Sequence, residues 1–163
     1  MSNKFEILMN QLDMPLEMRN SEAFLNAEIE KVLVHKVSRV WEFHFSFEDI
    51  LPVEIFRELQ NRLAQEFSKT GNQAIFEIHC QAPQVSDELL QAYYQLAFEE
   101  GPCASHGFKS LYQDLQVHLD GDKLLIEGPS TIDTEHFRKN HLPNLSRQLV
   151  KYGFPQLTCQ VQH

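Results

Sequence analysis

Three histidines lie in segments that alternate apolar and polar residues, where their imidazole groups could gather around a metal ion. His35 and His44 belong to the stretch KVLVHKVSRVWEFHFSFE at residues 31–48, and His79 follows in AIFEIHC. Neutral imidazole is a zinc ligand, and histidines on neighbouring strands of one sheet could share one zinc ion. Their spacing matches no established ligand pattern, however, and polar sheet faces often carry histidine. The sequence therefore favours a solvated sheet face over a zinc site.

Two further pairs of residues have types that occur in active sites. Cys103 stands shortly before His106 in GPCASHG, but a nucleophilic cysteine needs a positioned base and an oxyanion site, and nothing else in the sequence supports them. Asp133 and Glu135 form a D-x-E pattern, which proofreading exonucleases place on a strand to bind two metal ions. Here both acids fall in the first turn of a predicted helix, where they complement the helix dipole. No catalytic site is indicated.

Four aromatic residues recur at every second position of residues 41–47 and must share one face of a strand. Aromatic rows of this kind stack on nucleic-acid bases in RNA-binding sheets, where Lys or Arg residues stand between the aromatic ones. The intervening residues here are glutamate, histidine and serine. Packing of the row against the next helix, as part of a core, is therefore the favoured interpretation.

The elements that position these residues follow one order twice: helix, hairpin, helix, strand. The first half predicts a helix at 3–13, a helical turn at 21–27 capped by Ser21, strands at 30–36 and 39–47, a helix at 52–68 and a strand at 74–80. The second half predicts helices at 86–100 and 106–114, a hairpin of strands 116–119 and 123–128, helices at 132–140 and 143–152, and a strand at 156–162.

This order predicts an α+β fold of two small modules, at residues 1–82 and 83–163. Each would contain helices, a β-hairpin, further helices and a final strand. The modules share the order of their elements but no convincing sequence repeat. A single layer of helices on one six-stranded sheet is the alternative.

The chain has 163 residues and a formal net charge of −9, with acidic residues in both halves. Acidic chains repel phosphate groups, so non-specific nucleic-acid binding is disfavoured. The three cysteines, Cys80, Cys103 and Cys159, are far apart, which fits reduced thiols in a cytoplasmic protein. No segment reads as a signal peptide or a membrane span, and we expect neither a membrane partner nor a cofactor.

Two extended patterns carry a resemblance to a known family. Residues 35–52 read H-K-x-S-x-x-W-x-F-H-F-x-F-x-x-x-L-P, and residues 152–157 read Y-G-F-P-x-L, with Asp133-Thr134-Glu135 upstream. Both patterns resemble the N-terminal region of the PolC-type DNA polymerase III alpha subunit of low-GC Gram-positive bacteria. The resemblance covers essentially the whole chain, with one pattern in each module.

The resemblance implies the non-catalytic N-terminal part of a replicative DNA polymerase, a transferase with an embedded 3′–5′ exonuclease. It also implies that the first module is similar to the polymerase-binding domain of the clamp-loader tau subunit, and the second to a type II KH-like fold. A KH domain that binds nucleic acid has a G-x-x-G loop between two helices, but Lys139-Asn140-His141-Leu142 stands there. We therefore expect a KH-like shape without KH-type binding, and no exonuclease role for Asp133 and Glu135.

The favoured function is a protein-interaction region that tethers the polymerase to replisome proteins, foremost the clamp-loader tau subunit. The alternative is an accessory nucleic-acid-binding domain that guides template or single-stranded DNA, with weak DNA binding in isolation. A basic patch for either partner would use Lys36, Arg39, Lys109, Lys123, Arg138 and Lys139.

Overall fold

The structure, a computed structural model, describes residues 1–104, 112–128 and 134–162. The chain divides into two compact units, Met1–Gln84 and Val85–His163. Each unit combines helices with its own three-stranded sheet, which confirms the predicted α+β fold of two modules. Because two separate sheets are present, the alternative of one six-stranded sheet is wrong.

The first unit places a hairpin and a parallel third strand over helices. Its sheet has the order β1-β2-β3, with β1 antiparallel and β3 parallel to β2. The elements are α1 (Asn3–Gln11), α2 (Leu16–Arg19), a 3-10 turn (Glu22–Phe24), β1 (Glu28–His35), β2 (Val40–Phe47), α3 (Val53–Ser68) and β3 (Gln73–Cys80).

Local signals set the ends of these elements. The Ser2 hydroxyl accepts a hydrogen bond from the Phe5 amide at 3.3 Å and so caps α1. Pro52 stands directly before α3, where a missing N–H costs little. Ser21 was predicted to cap the turn that follows it, but its hydroxyl donates backwards to the Met18 carbonyl at 2.7 Å. That part of the prediction is wrong because Ser21 closes the end of α2 instead.

The aromatic row of β2 forms the core of the first unit, as the sequence predicted. Phe45 and Phe47 are fully buried, and each meets Phe5 of α1 edge to face. Trp41 and Phe43 pack against Phe67 of α3. The row is therefore enclosed by helices and cannot serve as a base-stacking platform.

The Asp49 carboxylate closes the first unit at its C-terminal end. Its Oδ1 atom accepts hydrogen bonds from the Ile50 amide at 2.7 Å and the Gln84 amide at 2.8 Å. The amides of Gln81 and Ala82 also bond to the chain at the end of β2. The segment after β3 is thus fixed to the unit as far as Gln84.

The second unit repeats the order of the first with shorter strands. Its sheet is β4-β5-β6, antiparallel and then parallel. The elements are α4 (Asp87–Ala97), a 3-10 turn (Gly101–Cys103), β4 (Gln116–Asp120), β5 (Lys123–Glu127), α5 (Thr134–Asn140), α6 (Leu142–Lys151) and β6 (Thr158–Gln162). Most of the helix predicted at 106–114, and with it His106 and Lys109, lies outside the described residues, as does Asp133.

Buried tyrosines hold the second unit together. Tyr93, Tyr94 and Tyr152 are almost completely buried. The Tyr94 hydroxyl donates to the Tyr112 carbonyl at 2.6 Å, and the Tyr152 hydroxyl donates to the Glu100 carboxylate at 2.7 Å. These bonds satisfy hydroxyl groups that burial would otherwise leave without a partner.

Candidate protein-interaction surface

One side of the sheet in the first unit is left open by the helices. Directly paired residues project from the same side of a sheet, so the pairing of the three strands defines this side. Leu33, Glu42 and Ile75 form one row across β1, β2 and β3, and Lys31, His44 and Glu77 form the next row. We call this side the outer face: Lys31, Leu33, His35, Glu42, His44, Ile75, Glu77 and His79.

The outer face combines exposed aliphatic groups with carboxylates. Leu33 and Ile75 are 40% and 42% exposed, respectively, and they stand on either side of Glu42. Exposed aliphatic side chains on an open sheet side can pack against the apolar residues of a partner. The face can therefore offer both apolar area and negative charge to a partner.

Histidines and glutamates on this side bind each other. The His44 Nε2 atom lies 2.7 Å from the Glu42 Oε2 atom, and its Nδ1 atom lies 3.8 Å from Glu77. His79 Nδ1 lies 3.2 Å from the Glu30 carboxylate. The hydrogen bond from His44 lowers the pKa of Glu42 against a smaller opposing effect of burial, and nearby His35 and Lys31 lower it further. Glu42 is thus held as a carboxylate.

The three histidines considered for zinc binding do not converge. His44 pairs with Glu42 and His79 pairs with Glu30, while His35 ends β1. Within residues 1–104, 112–128 and 134–162, no three His, Cys, Asp or Glu side chains form a group that could hold a metal ion. The contact of His44 with Glu77 agrees with the interpretation of a solvated sheet face.

The predicted basic residues of the first unit lie in the hairpin turn. Arg39 has a positive φ of 59°, and its Nη2 atom donates to the Thr70 carbonyl at 3.1 Å. Its charge therefore lies beside the C-terminal end of α3, where it complements the helix dipole. Lys36 is exposed in the same turn, so the structure places both residues at the tip of the hairpin.

The other predicted basic residues belong to the second unit. Lys123 is exposed at the start of β5, and Lys139 is exposed on α5. Arg138 forms an ion pair with Glu135. It also lines a cavity of about 220 Å³ together with Leu142, Cys159, Gln160 and Val161. Lys109 lies outside the described residues.

The cysteines have the character of core residues. Burial raises the pKa of the Cys103 thiol to about 11, and burial together with Asp49 raises that of Cys80 to about 12. A reactive cysteine needs the opposite shift, because only the thiolate attacks. Cys103 is therefore protonated at neutral pH, which argues against the pairing with His106 as a nucleophile.

Sequence reasoning missed a difference between the free edges of the two sheets. In the second unit, the Gln91 side chain accepts from the Val117 amide and donates to the Leu115 carbonyl, both at 2.9 Å. Asp87 accepts from the Leu119 amide at 2.8 Å. These side chains of α4 occupy the outer edge of β4. Within the described residues, the backbone of 30–35 on β1 has hydrogen-bond partners only in β2.

The available signal for the β1 edge was the run Val32-Leu33-Val34. Consecutive aliphatic residues point to opposite sides of a strand, and here all of them are partly exposed. A run of this kind in the first strand of a hairpin indicates an exposed strand only when that strand lies at the edge of the sheet. The order of strands decides this, and the order is not visible in the pattern.

These features define the class of the molecule: a chain of two α+β units, each with a hairpin extended by a parallel strand, and with an open sheet side on the first unit. Two family models match it, "DNA polymerase III polC-type N-terminus I" at residues 4–78 and "DNA polymerase III polC-type N-terminus II" at residues 92–163. The chain therefore belongs to the family of polC-type DNA polymerase III N-terminal regions.

Curated relatives agree with this membership. The chain is 94% identical over 163 residues to a DNA polymerase III PolC-type of Streptococcus sanguinis strain SK36. It is 63% identical over 162 residues to that of Streptococcus pneumoniae strain R6, and 50% identical over 161 residues to that of Streptococcus pyogenes serotype M5. The matched region covers 99–100% of this chain but only 11% of the length of each relative.

No solved structure matches the chain. Among the described residues, no helix is both long and apolar enough to cross a bilayer.

Proposed function

We propose that this chain is the non-catalytic interaction region of a replicative DNA polymerase that synthesises DNA and proofreads with a 3′–5′ exonuclease. It tethers the polymerase to replisome proteins, foremost the clamp-loader tau subunit. The outer face of the first unit is the observation that carries this proposal. It is a folded sheet side with aliphatic groups and carboxylates that the unit itself does not cover.

The chemistry of the outer face specifies the partner segment. Apolar side chains of the partner would cover Leu33 and Ile75, and a basic group would meet Glu42 or Glu77. Glu42 supports such a contact because its lowered pKa keeps it charged well below neutral pH. Charge pairs at the rim of an interface mainly guide orientation and association rate, while the apolar contact supplies most of the affinity.

The features of the second unit support a scaffold role for that unit. Its elements run helix, two strands, two helices and a strand, the order that favours the proposed type II KH-like fold. Only His141 separates α5 from α6, which leaves no room for a phosphate-binding G-x-x-G loop. A KH-like shape with this junction fits a structural or protein-binding module.

The experiment is a titration of the 15N-labelled chain with the C-terminal region of the tau subunit, followed by NMR. We expect saturable shifts that concentrate on the outer face. Ile75→Lys should weaken binding about tenfold, which corresponds to about 1.4 kcal/mol. Glu77→Lys should weaken it less and should mainly slow association. Val150→Lys is the matched control, because Val150 is 38% exposed but belongs to the second unit.

Shifts confined to the second unit would move the tether to that unit and contradict the outer face. A complete absence of shifts at about 100 μM tau, where even a weak specific complex would be detected, would contradict tau as the partner.

A nucleic-acid role remains the second candidate, and the Arg138 cavity is the observation that favours it. Arg138 and Lys139 are adjacent on α5, and Arg138 lines a cavity with residues of β6. Against it stand the ion pair of Arg138 with Glu135 and the net charge of −9. Binding of a single-stranded oligonucleotide that falls steeply with salt, and that R138E/K139E abolishes, would support it.

A further inference from the structure

The free edge of β1 has the properties of a strand that pairs with another chain. Its backbone from Glu30 to His35 presents unused donors and acceptors on one side, as far as the described residues show. Val32, Leu33 and Val34 are 37%, 40% and 46% exposed, respectively. Natural edge strands usually carry charges, proline or a covering element that prevent such pairing. Glu30 and Lys31 carry charge, but the run Val32-Leu33-Val34 that follows them has no charge, no proline and, among the described residues, no covering element.

Protection of this strand is limited to its beginning. A β-bulge shifts the register between Ile29 and Lys31, and bulges are one device that discourages pairing. The Ser2 amide binds the Ala27 carbonyl just before the strand. Beyond the bulge the strand is exposed on both sides, and Val37 at the tip of the hairpin is completely exposed.

We propose that this edge pairs antiparallel with the same edge of a second copy of the chain. The two three-stranded sheets would join into one continuous sheet across a two-fold axis. This goes beyond the tether of the proposed function, because it uses the backbone hydrogen-bonding edge of β1, although the side chain of Leu33 also belongs to the outer face.

The aliphatic run fixes the register of the pairing. With the two-fold axis at Leu33, this residue lies opposite its own copy, and Val32 lies opposite Val34 on both sides of the axis. Moving the axis by one residue in either direction would place a valine opposite Glu30 or Lys36. The register at Leu33 therefore gives the largest apolar contact, and apolar cross-strand pairs are the main source of stability in such a sheet.

The charges select an antiparallel arrangement of two copies. Glu28 and Glu30 lie at the start of β1, and Lys36 directly follows its end. Antiparallel pairing brings the acidic start of one copy beside the basic end of the other, whereas parallel pairing would bring like charges together. The net charge of −9 on each chain opposes association at long range. The dimer is accordingly weak, and it depends on the local match at β1.

Sedimentation equilibrium over a range of protein concentrations tests the proposal directly. We expect a monomer–dimer equilibrium, with Leu33→Lys raising the dissociation constant at least about tenfold. Ile75→Lys is the matched control, because Ile75 lies in the same row of the sheet with nearly equal exposure but on the opposite edge strand. It should leave the dissociation constant unchanged.

A charge exchange provides a test that loss of folding cannot imitate. The double substitution Glu28→Lys/Glu30→Lys gives a variant with basic residues at both ends of β1. The single substitution Lys36→Glu gives a second variant with acidic residues at both ends. Each variant alone should dimerise more weakly than the unchanged chain, because like charges then face each other. An equimolar mixture of the two should recover dimers, because each mixed pair restores the opposition of charge.

Three results would overturn the proposal. The chain could stay monomeric at about 1 mM. Leu33→Lys and Ile75→Lys could weaken association equally. The assembly could grow beyond a dimer, which would indicate head-to-tail pairing of β1 with β3 in place of the two-fold contact. Binding of tau to a monomeric chain would support the tether and contradict only the dimer, so the two proposals fail separately.

Discussion

The two units solve the same structural problem in opposite ways. In each unit, the first strand of the hairpin is an edge strand of the sheet. In the second unit, Gln91 and Asp87 of α4 supply the hydrogen bonds that a further strand would supply to β4. In the first unit, within the described residues, the corresponding part of β1 keeps its edge unoccupied.

This difference teaches that an edge is closed by particular side chains and not by the fold. The order of elements is the same in both units. Topology alone therefore does not decide whether the backbone groups of the edge strand have hydrogen-bond partners. A primary amide carries both a donor and an acceptor, like a peptide group, and Gln91 uses both. In the first unit, within the described residues, no helix side chain is hydrogen-bonded to the backbone of residues 30–35 in this way.

The largest effect that separates the two sheets should come from the core of the first unit. Phe45 is completely buried among aromatic rings, so Phe45→Ala should reduce the free energy of unfolding of that unit by about 3–5 kcal/mol. Denaturant unfolding followed by NMR signals from each unit is the measurement. If the second unit lost as much stability as the first, the view that each unit has its own core would be contradicted.

The next effect opens the closed edge. Gln91→Ala removes the hydrogen bonds to Leu115 and Val117 and should cost about 1–3 kcal/mol of stability in the second unit. Gln95→Ala is the control, since Gln95 lines the same groove between α4 and β4. Amide exchange should accelerate at Val117 in the first variant only. Equal exchange in the two variants would show that Gln91 does not hold the edge.

A smaller effect depends on pH and on the outer face. The folded pKa of Glu42 lies below its ordinary value of 4.5, so its contribution to stability is complete above that value. It is lost as the pH falls through the lowered pKa, because protonation then favours the unfolded chain. The stability difference between the unchanged chain and Glu42→Gln, from urea unfolding, should therefore shrink below pH 4.5. A difference that stayed constant with pH would contradict this.

The smallest effect should come from the open edge itself. Val34 is 46% exposed although it lies on the same side of the sheet as Trp41. Val34→Thr keeps the shape and strand preference of the residue, so it should change the free energy of unfolding by less than about 0.5 kcal/mol. The same variant should weaken dimerisation. A large loss of stability would mean that Val34 belongs to the core and not to a contact surface.

Much of the fold was predictable because its signals are local. Alternation in β2 and β3 and the helical repeat of α3 placed these elements close to their observed bounds, and so did the hairpin predicted at 116–119 and 123–128. The covered side of the first sheet was also predictable, since four aromatic residues on one side of a strand must be buried.

The candidate surface was less predictable because it depends on long-range order. Whether Leu33 is a core residue or an exposed one is decided by the position of β1 at the edge of the sheet. The role of Gln91 depends on α4 lying beside β4, 24 and 26 residues further along the chain at Leu115 and Val117. The sequence analysis predicted Arg39 in a basic patch. Its contact with Thr70 could not be predicted, because it depends on how the hairpin turn packs against the end of α3. Periodicity reports which side of an element is apolar, but not which neighbour covers it.

The Asp49 carboxylate has a practical consequence for dividing this protein. By holding the amides of both Ile50 and Gln84, it makes Gln84 the last residue anchored in the first unit. A first unit prepared alone should therefore extend through Gln84. A version ending at residue 82 would leave Asp49 with one hydrogen bond in place of two and a loosened end beside β2. The two hydrogen bonds to Asp49 thus fix the position at which the chain leaves its first unit.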